Sequence, residues 1–316
     1  MKKALILTLG IWLLAAAVCG QNTNPETAKI VTSDIDLFWK AYDKAKPENN
    51  LNVFRDEYLR KGSVGLRDFT KLRIGSSCAL VGTIEAAPQY YAALREPSLK
   101  VAAYEPQLRA SFRRLKELYP EAVFPDVYFM IGRMNSAGTV SPNGLLIGVD
   151  MFGKNAGAPL DGLTDWHKAV VAPTDRIPFI VAHELIHFEQ KFPGAGNDGE
   201  WPLLGKALNE GGADFVGELI AGGNINPHLH EYGNPREREL WLDFKKEMDG
   251  KKIENWLYQG NDAKDRPADL GYYIGYKICE SYYKNAKDKK QAVKDILEIR
   301  DFAKFLADSR YEEKFR

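Results

Sequence analysis

The chain has 316 residues, of which 45% are hydrophobic and 27% charged, and this balance excludes a disordered chain or a fibrous repeat. The 43 basic and 43 acidic side chains cancel, so charge gives no reason to expect nucleic acid or an anionic membrane as a partner. Three cysteines are too few for a disulfide scaffold or a cysteine-rich metal domain.

The first twenty residues are typical of a bacterial secretion signal. Residues 1–3 are basic, and residues 4–18 form an apolar run that is too short to cross a bilayer comfortably. Two kinds of processing fit the end of this signal: cleavage after Gly20, and lipidation of Cys19. Because Val18 precedes Cys19, where lipidation signals prefer a smaller residue, we favour cleavage. The protein is then periplasmic or extracellular, with a membrane-attached lipoprotein and an uncleaved anchor as the alternatives.

Two cysteines, Cys78 and Cys279, remain after this cleavage. An oxidising compartment permits a disulfide between them, whereas two separate buried thiols are equally compatible with the sequence. The geometry that decides between these cannot be obtained from spacing, so both alternatives stay open.

The first part of the mature chain, residues 21–120, is predicted to be helical. Ser33 can cap a helix with an apolar face, and residues 52–60 and 65–74 indicate further helical stretches. Residues 105–119 form an amphipathic pattern that prolines then end.

Two short runs of β-forming residues follow, at 127–131 and 145–149. The turn-rich stretch 135–144 between them predicts a hairpin with a long loop. The remaining chain is helical, which predicts the α+β class, mostly helical with a small β-sheet at the active-site cleft. We expect residues 121–316 to form the catalytic part, packed with the helical part into one continuous unit over 30–316.

An H-E-x-x-H motif runs from His183 to His187 inside an apolar helical pattern. Four residues at about 3.6 per turn place the two imidazoles on one face of the helix, one turn apart, where both can bind one metal ion. Glu184 can reach a water molecule on that metal. A catalytic zinc site takes three protein ligands and keeps one position for water, so a third ligand is needed.

Glu210 is the expected third ligand, because an anionic oxygen suits zinc beside two imidazoles. Asp214 lies one helical turn later and can accept the remaining N–H of a ligand histidine, which fixes its orientation. The two glycines after Glu210 allow another backbone to approach closely. The sequence therefore predicts one Zn²⁺ per chain, bound by His183, His187 and Glu210.

These residues resemble the pattern H-E-x-x-H…N-E-x-x-[SA]-D of the gluzincin metallopeptidases. The matching positions are His183, Glu184, His187, Asn209, Glu210 and Asp214. The resemblance implies a zincin-like fold in which the two histidines and the second glutamate bind zinc. It also implies that the first glutamate is the general base and that the aspartate supports a ligand histidine.

The wider chain resembles exported bacterial proteins that are predicted to be zinc-dependent proteases, with the gliding-motility lipoprotein B group as relatives. Residues 36–42, 65–69 and 271–276 carry this likeness. The stretch between the motifs is a few residues longer than in the best-known gluzincins, which predicts an extra loop at 193–202. The G-x-M-E-N segment of gluzincin aminopeptidases is absent from the sequence, and this argues against an exopeptidase of that kind.

Other residues are candidates for roles around the metal. The strand at 145–149 could pair with a substrate backbone, or it could be an ordinary core strand. Tyr273 is our choice as the hydrogen-bond donor to the oxyanion, although most of the 15 tyrosines must serve packing. His228 and His230 are expected on the surface or behind the ligands rather than at a second metal site.

The expected function is a secreted zinc metallopeptidase that hydrolyses a peptide or protein substrate with a Zn-activated water and Glu184 as general base. A non-catalytic envelope or surface-assembly protein that retains a zincin fold is the alternative, and hydrolysis of a non-peptide substrate is a third hypothesis. The complete motif favours catalysis, because a structural zinc site needs no base. The oligomeric state stays open.

Overall fold

The computed structural model describes residues 22–194 and 200–316, so the predicted secretion signal and Cys19 lie outside the described residues. The helices of the described part are α1 (Ser33–Lys44), α2 (Asn50–Val53), α3 (Val64–Phe69), α4 (Ser77–Ala86), α5 (Pro88–Ala93), α6 (Arg95–Leu99), α7 (Glu105–Leu118), α8 (Asp165–Val170), α9 (Ile177–Glu189), α10 (Leu203–Ala221), α11 (Pro227–Gly233), α12 (Glu237–Glu247), α13 (Leu270–Asn285), α14 (Lys289–Leu297) and α15 (Phe302–Ser309). Its strands are β1 (Ile30–Val31), β2 (Val127–Met130), β3 (Gly138–Ser141) and β4 (Gly144–Gly148). The fold is α+β and mostly helical, which confirms the predicted class.

The N-terminal helices pack an apolar face inward and are tied together by a buried carboxylate. Phe38 and Trp39 of α1 are buried, as the periodicity predicted. Asp34, also buried, accepts hydrogen bonds from the main-chain N–H of Ser63 at 2.8 Å and from its hydroxyl at 2.5 Å. The predicted second and third helices are present as α2 and α3. Each continues into a wider π-helical turn, at Phe54–Leu59 and Thr70–Ile74.

The four strands form one mixed sheet in the order β1-β2-β4-β3. Strands β1 and β2 are parallel, as are β2 and β4, whereas β3 is antiparallel to β4. Strand β4 therefore has a partner on both sides, and all of its residues are buried. Strand β3 forms one edge of the sheet and is partly exposed.

The hairpin was predicted between the wrong pair of strands. The two apolar runs form β2 and β4, but these strands are parallel, and the hairpin joins β3 to β4 instead. Strand β3 lies in the stretch predicted as a loop. Gly138 and Ser141 are poor β-formers, so only Thr139 and Val140 favoured a strand there.

Helix α10 lies between α9 and α13 and packs closely against both. At the crossing with α13, a Cβ on Gly275 would lie 1.7 Å from the carbonyl oxygen of Ala207, and a Cβ on Gly211 would lie 2.1 Å from the nitrogen of Tyr276. Only glycine at both positions allows this approach, because any side chain would collide with the opposite backbone. The close approach expected at Gly211 is thus present.

Cys78 is exposed and Cys279 is buried, and both are free thiols, so they do not form the disulfide that the sequence left open.

Within residues 22–194 and 200–316, no helix combines the length and apolarity that a bilayer crossing requires. The loop predicted at 193–202 lies partly outside the described residues. The division of the chain at residue 120 stays a prediction.

Candidate metal centre

Helix α9 positions the two histidines of the motif. Pro178 occupies its first turn, where the missing N–H costs nothing, and most of the apolar residues that follow are buried. The rings of His183 and His187 lie one turn apart, with centroids separated by 4.5 Å and planes at 86°. Their Nε2 atoms are 3.0 Å apart. The predicted placement on one helix face is therefore present.

Helix α10 brings the carboxylate of Glu210 to the same point. Its Oε2 lies 3.1 Å from Nε2 of His187 and 3.6 Å from Nε2 of His183. The three side chains are nearly enclosed, with exposed fractions of 5% for His183, 15% for His187 and 10% for Glu210. Among the described residues, these three form the group of His, Cys, Asp and Glu side chains that could hold a metal ion.

Asp214 lies behind His183, as the sequence predicted. Its Oδ1 is 2.7 Å from Nδ1 of His183, and neither atom meets another polar partner in the described part of the chain. The other oxygen, Oδ2, accepts a hydrogen bond from Nδ2 of Asn226 at 2.9 Å. Because a carboxylate only accepts, Nδ1 of His183 carries a hydrogen and Nε2 is left with a lone pair.

The side-chain amides of Gln190 and Asn209 fix the position of the hydrogen on the ring of His187. Gln190 donates from Nε2 to the carbonyl of Asn209 at 2.7 Å, and Asn209 donates from Nδ2 to Oε1 of Gln190 at 2.6 Å. This reciprocal pairing identifies Oε1 of Gln190 as an acceptor, and it lies 2.8 Å from Nδ1 of His187. His187 therefore also donates from Nδ1 and presents a lone pair at Nε2. Sequence reasoning did not anticipate Gln190.

The donor set fits zinc. Two imidazole lone pairs and a carboxylate oxygen converge with separations of 3.0, 3.1 and 3.6 Å. Bonds of about 2.0–2.2 Å to a tetrahedral zinc ion leave ligand atoms about 3.3–3.6 Å apart. Three electron-pair donors facing one another in a buried site repel each other unless a cation lies among them.

The pKa shifts of the metal-free site also indicate that these side chains form a cation site. Burial would raise the pKa of Glu210, but the two imidazoles outweigh it and hold this pKa well below its usual range. Burial likewise opposes charge on His183, yet the hydrogen bonds to Asp214 and Glu210 raise its pKa. Without an ion, a proton on the imidazoles therefore takes the place beside the carboxylate that a metal cation would otherwise fill.

Glu184 lies beside the cluster and faces strand β3. It is only 6% exposed, and a Cβ on Gly138 would lie 2.5 Å from its Oε1. Glycine at this position thus leaves room for the carboxylate against the edge strand. Burial raises the pKa of Glu184, while His183 and Arg73 are among the positive groups that oppose the rise.

Two tyrosines complete the surroundings: Tyr272, from the segment 271–276, and Tyr258, which sequence reasoning did not anticipate. The hydroxyl of Tyr258 donates to Oε1 of Glu210 at 2.5 Å, although 58% of this residue is exposed. Its own main-chain N–H donates to Oδ1 of Asp269 at 2.5 Å, and its φ is +59°. The ring of Tyr272 stacks over His183, with centroids 6.2 Å apart. Tyr258 lies in an irregular segment, where periodicity provides no signal.

The structure does not bring Tyr273 to the cluster. Its hydroxyl donates to Oδ1 of Asn234 at 3.2 Å, and its ring contacts His230. Consecutive residues of a helix point about 100° apart, so Tyr272 faces the metal ligands while Tyr273 faces elsewhere. His230 lies among aromatic rings, and Nδ2 of Asn224 is 3.1 Å from its Nε2, which places it outside the candidate ligand set.

Strand β4 is also wrongly placed for pairing with a substrate. It is hydrogen-bonded to β2 on one side and to β3 on the other, so no edge is available. Strand β3 has the available edge. Because Gly148 N–H bonds to the carbonyl of Ala137 and the pairs alternate, the main-chain groups of Gly138 and Val140 point away from β4.

Two protein families match the chain. Residues 21–221 match the family described as "Gliding motility protein GldB", which covers more than half of the sequence. The chain belongs to the GldB family. Residues 163–301 match the family described as "Predicted Zn-dependent protease (DUF2268)", a range that includes α9, α10, α13 and Tyr258. No curated protein and no solved structure matches the chain significantly.

Proposed function

We propose that this member of the GldB family is an exported zinc-dependent metallopeptidase of the gluzincin type. The observation that carries the proposal is the convergence of Nε2 of His183, Nε2 of His187 and Oε2 of Glu210 in a buried site, with the carboxylate of Glu184 beside it. The match to a family described as a predicted zinc-dependent protease supports the same reaction.

His183, His187 and Glu210 would hold the zinc ion. When bound, zinc supplies Lewis acidity towards a substrate carbonyl and a water molecule. Asp214 and Gln190 fix the hydrogens of both imidazoles on Nδ1, so the two Nε2 lone pairs already face the site. The ligands therefore need little rearrangement on binding.

Glu184 is the proposed general base. Its burial raises its pKa, which makes the carboxylate a better proton acceptor than an exposed glutamate. It takes a proton from the attacking water and delivers it to the leaving amine. Tyr258, whose hydroxyl already reaches Glu210, is the proposed donor to the carbonyl oxygen as negative charge develops there. Tyr258 is proposed in place of Tyr273, whose hydroxyl donates to Asn234.

A peptide substrate would lie extended along β3. The outward main-chain groups of this edge strand can pair with another extended chain, and pairing of this kind is a common way to bind peptides. Gly138 lies in β3 and also borders Glu184, so a peptide on this edge would run past the base.

For localisation, we propose export with cleavage after Gly20, and a lipoprotein anchored at Cys19 as the alternative. Membership of a family described by gliding motility favours one second function, a non-catalytic envelope or surface-assembly role. The buried glutamate beside the ligands weighs against it, because assembly requires no base.

The test compares the mature parent chain with Glu184→Gln. Elemental analysis measures zinc per chain, and a mixed peptide pool is digested with and without a chelator. We expect one zinc in both proteins, chelator-sensitive cleavage by the parent, and a loss of about 10²–10⁴-fold in Glu184→Gln.

The matched control is Glu189→Gln on the same helix. Glu189 is also buried, and its Oε1 accepts a hydrogen bond from Val123 N–H at 2.5 Å, a bond that glutamine can keep. This variant should retain cleavage. Full activity in Glu184→Gln would refute the base assignment, and zinc without any cleavage would favour the assembly role.

A further inference from the structure

Two arginines beside the proposed substrate edge, Arg73 and Arg133, are joined through a main-chain contact, and the charge of Arg73 also opposes the rise that burial causes in the pKa of Glu184. Nε of Arg133 donates to the main-chain carbonyl of Arg73 at 3.1 Å, and Nη2 of Arg73 donates to the hydroxyl of Thr139 at 2.9 Å. Neither guanidinium forms an ion pair with a carboxylate in residues 22–194 or 200–316. Most arginines with a fixed side chain elsewhere in this structure contact a carboxylate, as Arg95 contacts Asp43.

The position of Arg133 is fixed by its backbone. The buried carboxylate of Asp150 accepts hydrogen bonds from Gly132 N–H and from Met134 N–H, each at 2.6 Å, on either side of Arg133. Asn135 adds a hydrogen bond from Nδ2 to the carbonyl of Arg73 at 2.9 Å. The loop that presents Arg133 is thereby joined to the turn that presents Arg73. The two arginines are thus held on adjoining segments, and an anion that reaches both guanidinium groups would gain hydrogen bonds from each.

The pair is also aligned with the edge strand. Thr139, which Arg73 contacts, follows Gly138, which borders Glu184. Side chains of directly opposed residues in a sheet project to the same face, and neighbours along a strand project to opposite faces. In a peptide paired with β3, the residue opposite Thr139 would therefore project towards Arg73. The residues on either side of it would project towards Glu184.

We propose that Arg73 and Arg133 select substrates that carry an acidic side chain at the residue opposite Thr139. Guanidinium groups bind a carboxylate through paired hydrogen bonds that an amide cannot reproduce with the same strength. The substrate class is thus an extended peptide with aspartate or glutamate close to the scissile bond. This inference rests on the proposed peptidase function and deepens it.

The first test measures charge preference in cleavage. Two pools of end-blocked decapeptides are identical except that one contains glutamate where the other contains glutamine, and mass spectrometry locates the cleaved bonds. A charge-assisted hydrogen bond contributes about 1.5–3 kcal/mol, so the parent should cleave the glutamate pool about 10–100-fold faster. The glutamate should occur at one fixed distance from the cleaved bond. Arg73→Gln and Arg133→Gln should each bring the ratio towards one.

The matched control is Lys71→Gln, which removes an exposed positive charge from the same turn. It should leave the ratio of the two pools unchanged, because the recognition is local. If Lys71→Gln lowers the ratio as much as Arg73→Gln does, general attraction explains the preference and the proposal is wrong. An equal rate for both pools in the parent would also overturn it.

A binding measurement separates this inference from the peptidase proposal. Zinc-loaded Glu184→Gln is titrated with a fluorescent glutamate decapeptide and with its glutamine counterpart, and anisotropy reports both affinities. Tighter binding of the glutamate peptide that is lost in Glu184→Gln/Arg133→Gln would support anion recognition even if no peptide is hydrolysed. Equal affinities would refute it even if cleavage occurs. Arg133→Lys serves where a glutamine variant does not fold, since it keeps the charge and loses the paired hydrogen bonds.

Discussion

The hydroxyl of Tyr258 donates a hydrogen bond to one carboxylate oxygen of Glu210, at 2.5 Å, while the other oxygen faces the two imidazoles. Glu210 thus offers a single oxygen, Oε2, to an ion in the site. The same contact brings a phenolic O–H next to the ligands from a segment that lies far downstream in the sequence. Tyr258 therefore orients a ligand, and its single hydroxyl hydrogen would have to leave Glu210 before it could be donated to a substrate oxygen.

Replacing Tyr258 with phenylalanine should lower turnover but not remove the metal. The three ligands remain, whereas the donor to the developing oxyanion is lost, so kcat/KM should fall by about 10²–10³-fold. Peptide hydrolysis and zinc content of the same preparation check this. Tyr282→Phe is the control, because its hydroxyl donates to Oδ2 of Asp295 at 2.7 Å away from the ligands. Equal rates for the two variants would contradict the role of Tyr258.

Asp214→Asn should weaken zinc binding. Asparagine can still accept from His183, but it removes the negative charge that makes the imidazole a stronger ligand. We expect the dissociation constant for zinc to rise about 10–100-fold, measured by competition with a chromogenic chelator. Asp295→Asn is the control, since it alters a carboxylate that accepts from a tyrosine elsewhere. Unchanged affinity in Asp214→Asn would remove Asp214 from the metal centre.

Asp150 should make stability depend on pH. Burial raises its pKa from 3.8 to about 6, so the folded chain binds this proton more tightly than the unfolded chain. Its contribution to folding is therefore complete below about pH 4 and is lost as pH rises through 6. Asp150→Asn does not titrate. The free energy of unfolding of the parent, relative to this variant, should fall by about 2.4 kcal/mol between pH 4 and pH 7.5.

Urea unfolding at several pH values measures this difference. The variant should be less stable than the parent at low pH, because an amide cannot accept from both Gly132 N–H and Met134 N–H. A difference between the two proteins that stays constant with pH would show that folding does not raise the pKa of Asp150.

Gly275→Ala should destabilise the protein severely. The added Cβ would lie 1.7 Å from the carbonyl oxygen of Ala207, so α10 and α13 must separate. We expect a loss of about 3 kcal/mol or more, together with weaker zinc binding, because α10 carries Glu210. Gly82→Ala is the control: Gly82 lies within α4, where a Cβ meets nothing within 4 Å. It should stabilise by about 0.5–1 kcal/mol, as thermal unfolding would show.

The parts of the site that follow helical geometry could be predicted from sequence. His183 and His187 are close because their spacing matches the helical repeat, and Asp214 lies near His183 because it follows Glu210 by one turn. The length and burial pattern of α7 were predictable for the same reason. These features depend on neighbours along the chain, which a sequence displays directly.

Features that depend on packing between distant segments were missed. Tyr258 reaches Glu210 from an irregular segment, and its φ of +59° is set by surrounding contacts rather than by local preference. To see that Tyr272 and not Tyr273 faces the metal ligands, one must know how α13 is rotated about its axis. That rotation is set by the place where Gly275 contacts α10. The strand order was missed because apolar runs show which segments are buried and do not show which strands pair.

The glycine crossing between α10 and α13 also affects how the protein is made. A ribosome delivers a chain from its N-terminus, so α9 and α10 emerge well before α13. Until Gly275 is available to pack against Ala207, the helix that carries Glu210 lacks its main partner. The nascent chain therefore holds the whole zinc motif before it can hold a finished zinc site. The metal site is therefore completed only after α13 has packed against α10.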